Sequence, residues 1–266
     1  MKLAIYTRSD NSKIEELISV LTDMGVGYIL NPEHIDESFD FVVSLGGDGT
    51  LLEAVRRMKG SGSYSPLLGI NSGRLGFLAK IKMQECREAI EAVRSGEYAV
   101  ENRLMLKVCN CNSGQHFYAL NEFTLQRVGA SMVEFDLKIG GVRVAKYWAD
   151  GIIVSTPTGS TAYSMSVGGA ILAPDAKCLI ISPVAPHNLS LRPLVVSDSS
   201  TIEIVARSRF GEGVLSTIDN TSYRIEDGQR FEISSSSESL RLVTFDSSNF
   251  YDTLREKLHW GVDARG

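Results

Sequence analysis

The feature that most constrains this chain is an apolar run that stops on glycines. Phe39 to Leu45 reads as a buried strand, and Gly46-Gly47-Asp48-Gly49-Thr50 follows at once. From about Thr50 to Met58, apolar residues recur at helical spacing. A strand, a glycine turn and a helix form the first part of a β–α–β unit, which requires a parallel sheet with helices packed on it. Leu3 to Tyr6 and Pro66 to Ile70 add two short apolar strands. Ser12 to Met24 and Met83 to Arg94 add two helices with one apolar face each. Residues 1–100 are therefore expected to form an α/β domain on a parallel, doubly wound sheet.

The pattern then changes. Residues 101–245 show short strands at Met105 to Cys109, Phe135 to Ile139, Gly151 to Val154, Leu179 to Ser182, Thr201 to Val205 and Phe231 to Ser234, with turn-forming residues between them. This predicts an all-β C-terminal domain, a sandwich or similar. Ser160 to Ala170 is expected to be helical, and Ser234 to Ser239 (SSSSES) to be a polar loop or a solvated strand edge. Phe250 to His259 has helical spacing, so residues 246–266 are expected to return to the first domain as a C-terminal helix.

Composition narrows the function. A net charge of −5 argues against a nucleic-acid-binding surface, while leaving room for a local anion site. The apolar stretches are far too short to span a bilayer, and the N-terminus reads as a strand and not a signal peptide, so a cytoplasmic protein without a membrane partner is expected. Cys109-x-Cys111 has no second pair or His cluster beside it. With Cys86 and Cys178 these are read as reduced thiols on strands, and no metal ligands are assigned.

Two segments carry chemistry. In the first, Gly46, Gly47, Gly49 and Thr50 make a turn that can bring backbone N–H groups to a phosphate at a helix N-terminus. The alternative is an ordinary turn with Asp48 as its N-cap. No lysine follows the last glycine, as a Walker loop needs, and the spacing is not that of a dinucleotide fingerprint. In the second, Ser155 to Thr161 hold five hydroxyl residues and a glycine in seven positions. Such a stretch suits ribose hydroxyls, an amide or phosphate oxygens. The alternative is a polar turn capping a helix.

GGDGT together with DGIIVSTPTGSTAYS (Asp150 to Ser164) resembles the NAD kinase family. GGDGT alone is shared with diacylglycerol and sphingosine kinases and resembles a phosphofructokinase loop. STPTGSTAY is far more specific. Gly69 to Leu78 (GINSGRLGFL) is similar to the family's G-x-N-x-G-x-L-G-F-L stretch, and Asn121-Glu122 to its Asn–acid pair. The resemblance implies transfer of the γ-phosphoryl group of ATP, with Mg²⁺ or another divalent cation, to the 2′-hydroxyl of the adenosine ribose of NAD, giving NADP.

The resemblance also implies roles. Asp48 is the general base rather than a phosphate ligand, while Gly46, Gly47, Gly49 and Thr50 hold the triphosphate. Asn121 and Glu122 bind the adenine–ribose side of NAD. Thr161, Ala162, Tyr163, Ser164, Met165 and Ser166 cradle adenine and ribose. Phe77 packs on the adenine or serves the core. Asp150 and Ala185 lie toward the nicotinamide, Asp150 commonly in a neighbouring subunit of a homodimer or homotetramer. Trp148 and Glu53 stand where many members carry a basic residue, with Lys146 or Arg74 as possible replacements. A lipid kinase sharing GGDGT, and a sensor that binds NAD without turnover, are the competing readings.

Overall fold

The computed structural model describes residues 1–8, 12–58, 65–73, 75–245 and 249–261. The chain forms two compact units, residues 1–103 with 238–266, and residues 104–237.

The first unit contains β1 (Lys2–Thr7), α1 (Ile14–Asp23), β2 (Gly27–Leu30), β3 (Phe41–Leu45), α2 (Asp48–Arg57), β4 (Leu67–Asn71), β5 (Ile81–Lys82) and α3 (Cys86–Ser95). Its strands pair in parallel in the order β2–β1–β3–β4, with Ile5 opposite Val43 and Val43 opposite Leu68. Leu3, Ile5, Val43, Leu45, Leu68 and Ile70 are buried together with Leu17 and Leu21 of α1 and Ile90 and Val93 of α3. β3 and β4 are neighbours and run the same way, so the segments leaving them emerge at one edge, the carboxyl edge where open α/β sheets place their ligands. Those segments are Gly46–Gly47 and, among the described residues, 72–73 and 75–80.

The second unit is antiparallel. Its elements are β6 (Ala99–Asn110), β7 (Gln115–Ala119), β8 (Glu122–Arg127), β9 (Val133–Ile139), β10 (Val142–Ala149), β11 (Gly151–Ser155), α4 (Tyr163–Ser166), β12 (Cys178–Val184), β13 (Leu194–Ser197), β14 (Ile202–Ser208), β15 (Val214–Ile218), β16 (Thr221–Ile225) and the start of β17 (Arg230–Thr244). One sheet runs β10–β9–β14–β17 and the other β13–β12–β11–β8–β15–β16. Alternate residues such as Phe135, Leu137, Ile202 and Ile204 from one sheet, and Phe123, Leu125, Ile152 and Val154 from the other, share a core. The Phe123 and Phe231 rings meet at 5.1 Å between centroids, which joins the two sheets as a sandwich.

Three local expectations change. α2 begins at Asp48, because Gly47 supplies the extended N-cap and its carbonyl already accepts from the N–H groups of Thr50 and Leu51. Ser160 to Ala170 is not one helix. It holds a 3₁₀ turn (Thr158–Thr161) and the single turn α4. The Ser160 hydroxyl accepts from the N–H of Leu172 and donates to the carbonyl of Pro157, so a side chain takes over backbone partners. Of the two forms expected for Ser234 to Ser239, the strand is present, within β17. Cys86 sits on α3 and Cys111 in the turn after β6, not on strands. The other expected helix is present as α5 (Phe250–Leu258), capped by Asn249, whose side chain accepts from the N–H of Asp252. It packs on the first unit through Phe250 and Phe77. No described helix is long and apolar enough to cross a membrane.

Truncating the sandwich core tests its weight. Phe231 is 1% exposed. Phe231→Ala is expected to cost about 3–5 kcal/mol, read as a lowered midpoint in chemical denaturation. A cost under ~1 kcal/mol would contradict the packing described.

Candidate active site

In the first unit the site grows around Asp48. Its carboxylate accepts from three successive backbone N–H groups: Phe77 to Oδ2 at 2.8 Å, and Leu78 and Ala79 to Oδ1 at 3.0 Å each. The approach is so close that a Cβ on Gly76 would lie 2.0 Å from Oδ1, so only glycine fits there. Asn71, buried at the end of β4, secures the same loop. Its amide donates to the Ala79 carbonyl and its oxygen accepts from the Gly73 N–H. The G-x-N-x-G-x-L-G-F-L stretch is thus the receptor of the Asp48 carboxylate, with Asn71 a supporting residue that sequence reasoning left without a role. A buried Asn at a strand end was the available signal.

A carboxylate offers about four acceptor positions. Three are taken, leaving Asp48 roughly one for a substrate proton. The N–H of Gly46 donates to the Ile70 carbonyl, so Gly46 shapes the turn; Thr50 is buried at its base. The Arg8 guanidinium lies against Gly49. Phe77 is half-buried, with its ring against Phe250 and the Lys257 ammonium 4.8 Å above it. Glu53 pairs with Arg56 on α2.

In the second unit the site grows around Asn121-Glu122. Asp219 occupies the first position of the two-residue β15–β16 turn with φ of 48°. Its carboxylate accepts from the N–H groups of Leu120 (2.9 Å), Asn121 (2.8 Å) and Glu122 (3.1 Å), and its own N–H donates to the Glu122 carbonyl. From the other side the Thr156 hydroxyl donates to the Leu120 carbonyl, and the Thr156 N–H to the Asn121 carbonyl. Gly159 completes the clamp, since a Cβ there would lie 2.1 Å from the Asn121 carbonyl oxygen. The hydroxyl-rich segment therefore acts first as a brace for the Asn–Glu turn. Asp219 was missed by the sequence reading.

Glu122 is 7% exposed, and its Oε2 has no hydrogen-bond partner among the described residues. Burial, and then the Asp219 charge, push the Glu122 carboxyl up to about 8, against the lowering effect of the Tyr163 N–H. Burial pushes Asp219 up to about 6, opposed by the three N–H groups it accepts from. A buried oxygen without a partner is the atom to which a ligand hydroxyl or amine would bond.

Nearby, a cavity of about 400 Å³ is lined by Gln126, Arg127, Asp150, Tyr163 and Val184. The Gln126 amide donates to the Tyr163 hydroxyl at 2.6 Å, and Arg127 pairs with Asp150 at 2.8 Å. Lys146 is instead paired with Glu134, and Arg74 lies outside the described residues. Thr161, Ala162 and Met165 are half-buried around the short turn, Ser164 is buried with its hydroxyl 3.0 Å from that of Ser182, and Ser166 is exposed. Ala185 is exposed with φ of 43°, a left-handed backbone that alanine adopts at a cost, and such strain often marks functional positions.

Both raised carboxyls bind protons in the folded state that the unfolded chain has lost. Their contribution to stability is therefore fully present at low pH and is lost as pH rises from the ordinary carboxylate range through about 8. Glu122→Gln removes the larger contribution. Its stability relative to the parent is expected to increase with pH across that window, measured by urea denaturation. A pH-independent difference would contradict the assignment.

Residues 29–98 match the ATP-NAD kinase N-terminal domain, and residues 120–245 the ATP-NAD kinase C-terminal domain. An NAD kinase of Bacteroides fragilis is 44% identical over 85% of this chain and 78% of its own length. One of Flavobacterium psychrophilum is 38% identical over 87% and 79%. Among solved structures, an Archaeoglobus fulgidus NAD kinase in complex with ATP superposes with a TM-score of 0.82 at 28% identity, covering 97% of this chain and 99% of that one. A yeast NADH kinase complexed with NADH shares the fold with a TM-score of 0.89 at 24% identity, covering 99% and 89%. With both domains matched in order and close relatives aligned over most of its length, the chain belongs to the NAD kinase family.

Proposed function

We propose that this chain phosphorylates NAD with ATP to make NADP. The 2′-oxygen of the adenosine ribose attacks the γ-phosphorus. The bond from that phosphorus to the β-bridging oxygen breaks, its electron pair leaves with ADP, and the hydroxyl proton passes to Asp48. A positioned base of this kind contributes about 10²–10⁴-fold, and alignment and charge stabilisation supply most of the rest. Asn121 and Glu122 hold the adenosine end, Thr161 to Ser166 enclose it, and Asp150 and Ala185 serve the nicotinamide end. The glycine turn receives the triphosphate.

The observation that carries this reading is the unpartnered Oε2 of Glu122, buried in a turn clamped by Asp219 and Thr156. A carboxyl pushed up to about 8 retains its proton near neutrality and can both donate and accept, which suits a ribose or base edge. Among the described residues no cluster of three or more His, Cys, Asp or Glu is placed to hold a metal. In this reading Mg²⁺ comes with the donor, held by the phosphate oxygens as it commonly is in nucleotide enzymes. A cytoplasmic homodimer or homotetramer is part of the proposal. Self-association is supported by the edge strand β10, where Val142, Val144 and Trp148 are 68%, 46% and 38% exposed.

The three N–H bonds to Asp48 favour a second reading, in which Asp48 only anchors the loop and the chain binds NAD without converting it. Turnover separates the two. With ATP, Mg²⁺ and NAD the parent is expected to form NADP, read by an NADP-specific cycling dehydrogenase. Asp48→Asn is expected to lose at least ~10²-fold in kcat. NADP from both at similar rates would remove Asp48 from the base role. NADP from neither, with NAD still bound, would leave the binding-only reading.

A further inference from the structure

Asp48 has one more neighbour, which the reaction as written leaves idle. Helix α5 presents Phe250, Leu254 and Lys257 on one face, three to four residues apart. Phe250 packs against Phe77, Leu254 is buried, and Lys257 reaches over the Phe77 ring to place Nζ 3.9 Å from Asp48 Oδ2. That separation is an ion pair and not a hydrogen bond. The lysine and aspartate side chains are 31% and 28% exposed, so the pair is partly screened and readily exchanged.

The surroundings hold more positive charge than one carboxylate requires. The Arg8 guanidinium lies against Gly49. The Lys80 amine is buried with no hydrogen-bond partner among the described residues, and burial pushes it below the usual lysine range, opposed by the charges of Glu101 and Asp48. Asp48 itself already accepts from three N–H groups. An ammonium on a flexible stem, held at ion-pair distance from that carboxylate at a helix N-terminus without a hydrogen bond to it, is placed to meet a multiply charged anion.

We infer that Lys257 is a phosphate-handling cation of this site: it rests on Asp48 in the free enzyme and turns to the γ-phosphoryl oxygens when ATP binds. The inference rests on the kinase reading. Lys257 forms no bond and exchanges no proton. It balances charge on the transferring group, and its departure leaves Asp48 open to the 2′-hydroxyl. The aromatic face of Phe77 guides it between the two positions.

The test uses the full chain with Lys257→Met and Lys257→Arg. Lys257→Met is expected to lower kcat/KM for ATP by about 10²-fold, with KM for NAD nearly unchanged and Lys257→Arg recovering most of the loss. Turnover within about twofold of the parent would overturn the inference. So would a loss that Arg fails to recover and that lowers NAD affinity equally, since that would be the mark of a packing role for α5. If the parent makes no NADP, the kinase reading fails, and calorimetric titration with inorganic tripolyphosphate decides the lysine separately. Binding at least about tenfold weaker in Lys257→Met supports the phosphate contact, and equal binding overturns it.

Discussion

A carboxylate that accepts from three successive backbone N–H groups is the device on which both units of this protein depend. Asp48 takes Phe77, Leu78 and Ala79; Asp219 takes Leu120, Asn121 and Glu122. Each grips a loop that no regular ladder fixes. Hydrogen bonds to a charged acceptor are roughly twice as strong as neutral ones, so a single side chain can hold such a loop in one conformation. The two sites differ in the charges beside them. Both carboxylates are half-buried, but Asp48 lies beside cations, whereas Asp219 lies beside a second carboxyl, Glu122. The first arrangement keeps a charge available to substrate. The second gives a carboxyl that retains its proton into the neutral range.

Local sequence carries the strand–turn–helix at GGDGT, because a buried strand, a glycine turn and a helical period leave few alternatives. It also carries the Asn–Glu and STPTGSTAY segments, because their residue types are unusual at that density. It does not carry the clamps. Asp219-Asn220 between two apolar runs signals a hairpin turn, but the N–H groups its carboxylate reaches lie 97 to 99 residues earlier. The same holds for Lys257, which reads as a solvated helix residue until α5 is docked. Ser234 to Ser239 reads by composition as a loop or a solvated strand edge, and only the long strand β17 decides between them.

The two departures from the family's usual charges acquire a physical context. Glu53 is neutralised by Arg56 one helical turn on. Trp148 brings no charge, yet Arg127, at the end of β8 and beside β11, reaches Asp150 beside the cavity. Positive charge is present in both units, supplied by residues other than those at the usual positions.

Locating the transferred phosphate tests the whole scheme at its point of chemistry. The protein would be incubated with NAD, Mg²⁺ and ATP labelled at the γ-phosphate, and the product digested to find the label. Label on the 2′-oxygen of the adenosine ribose, with none retained by protein, is the expected result and requires direct transfer to the hydroxyl. Label on the protein, on inorganic phosphate alone, or at another hydroxyl would contradict the assignment of Asp48 and of the Asn121-Glu122 turn.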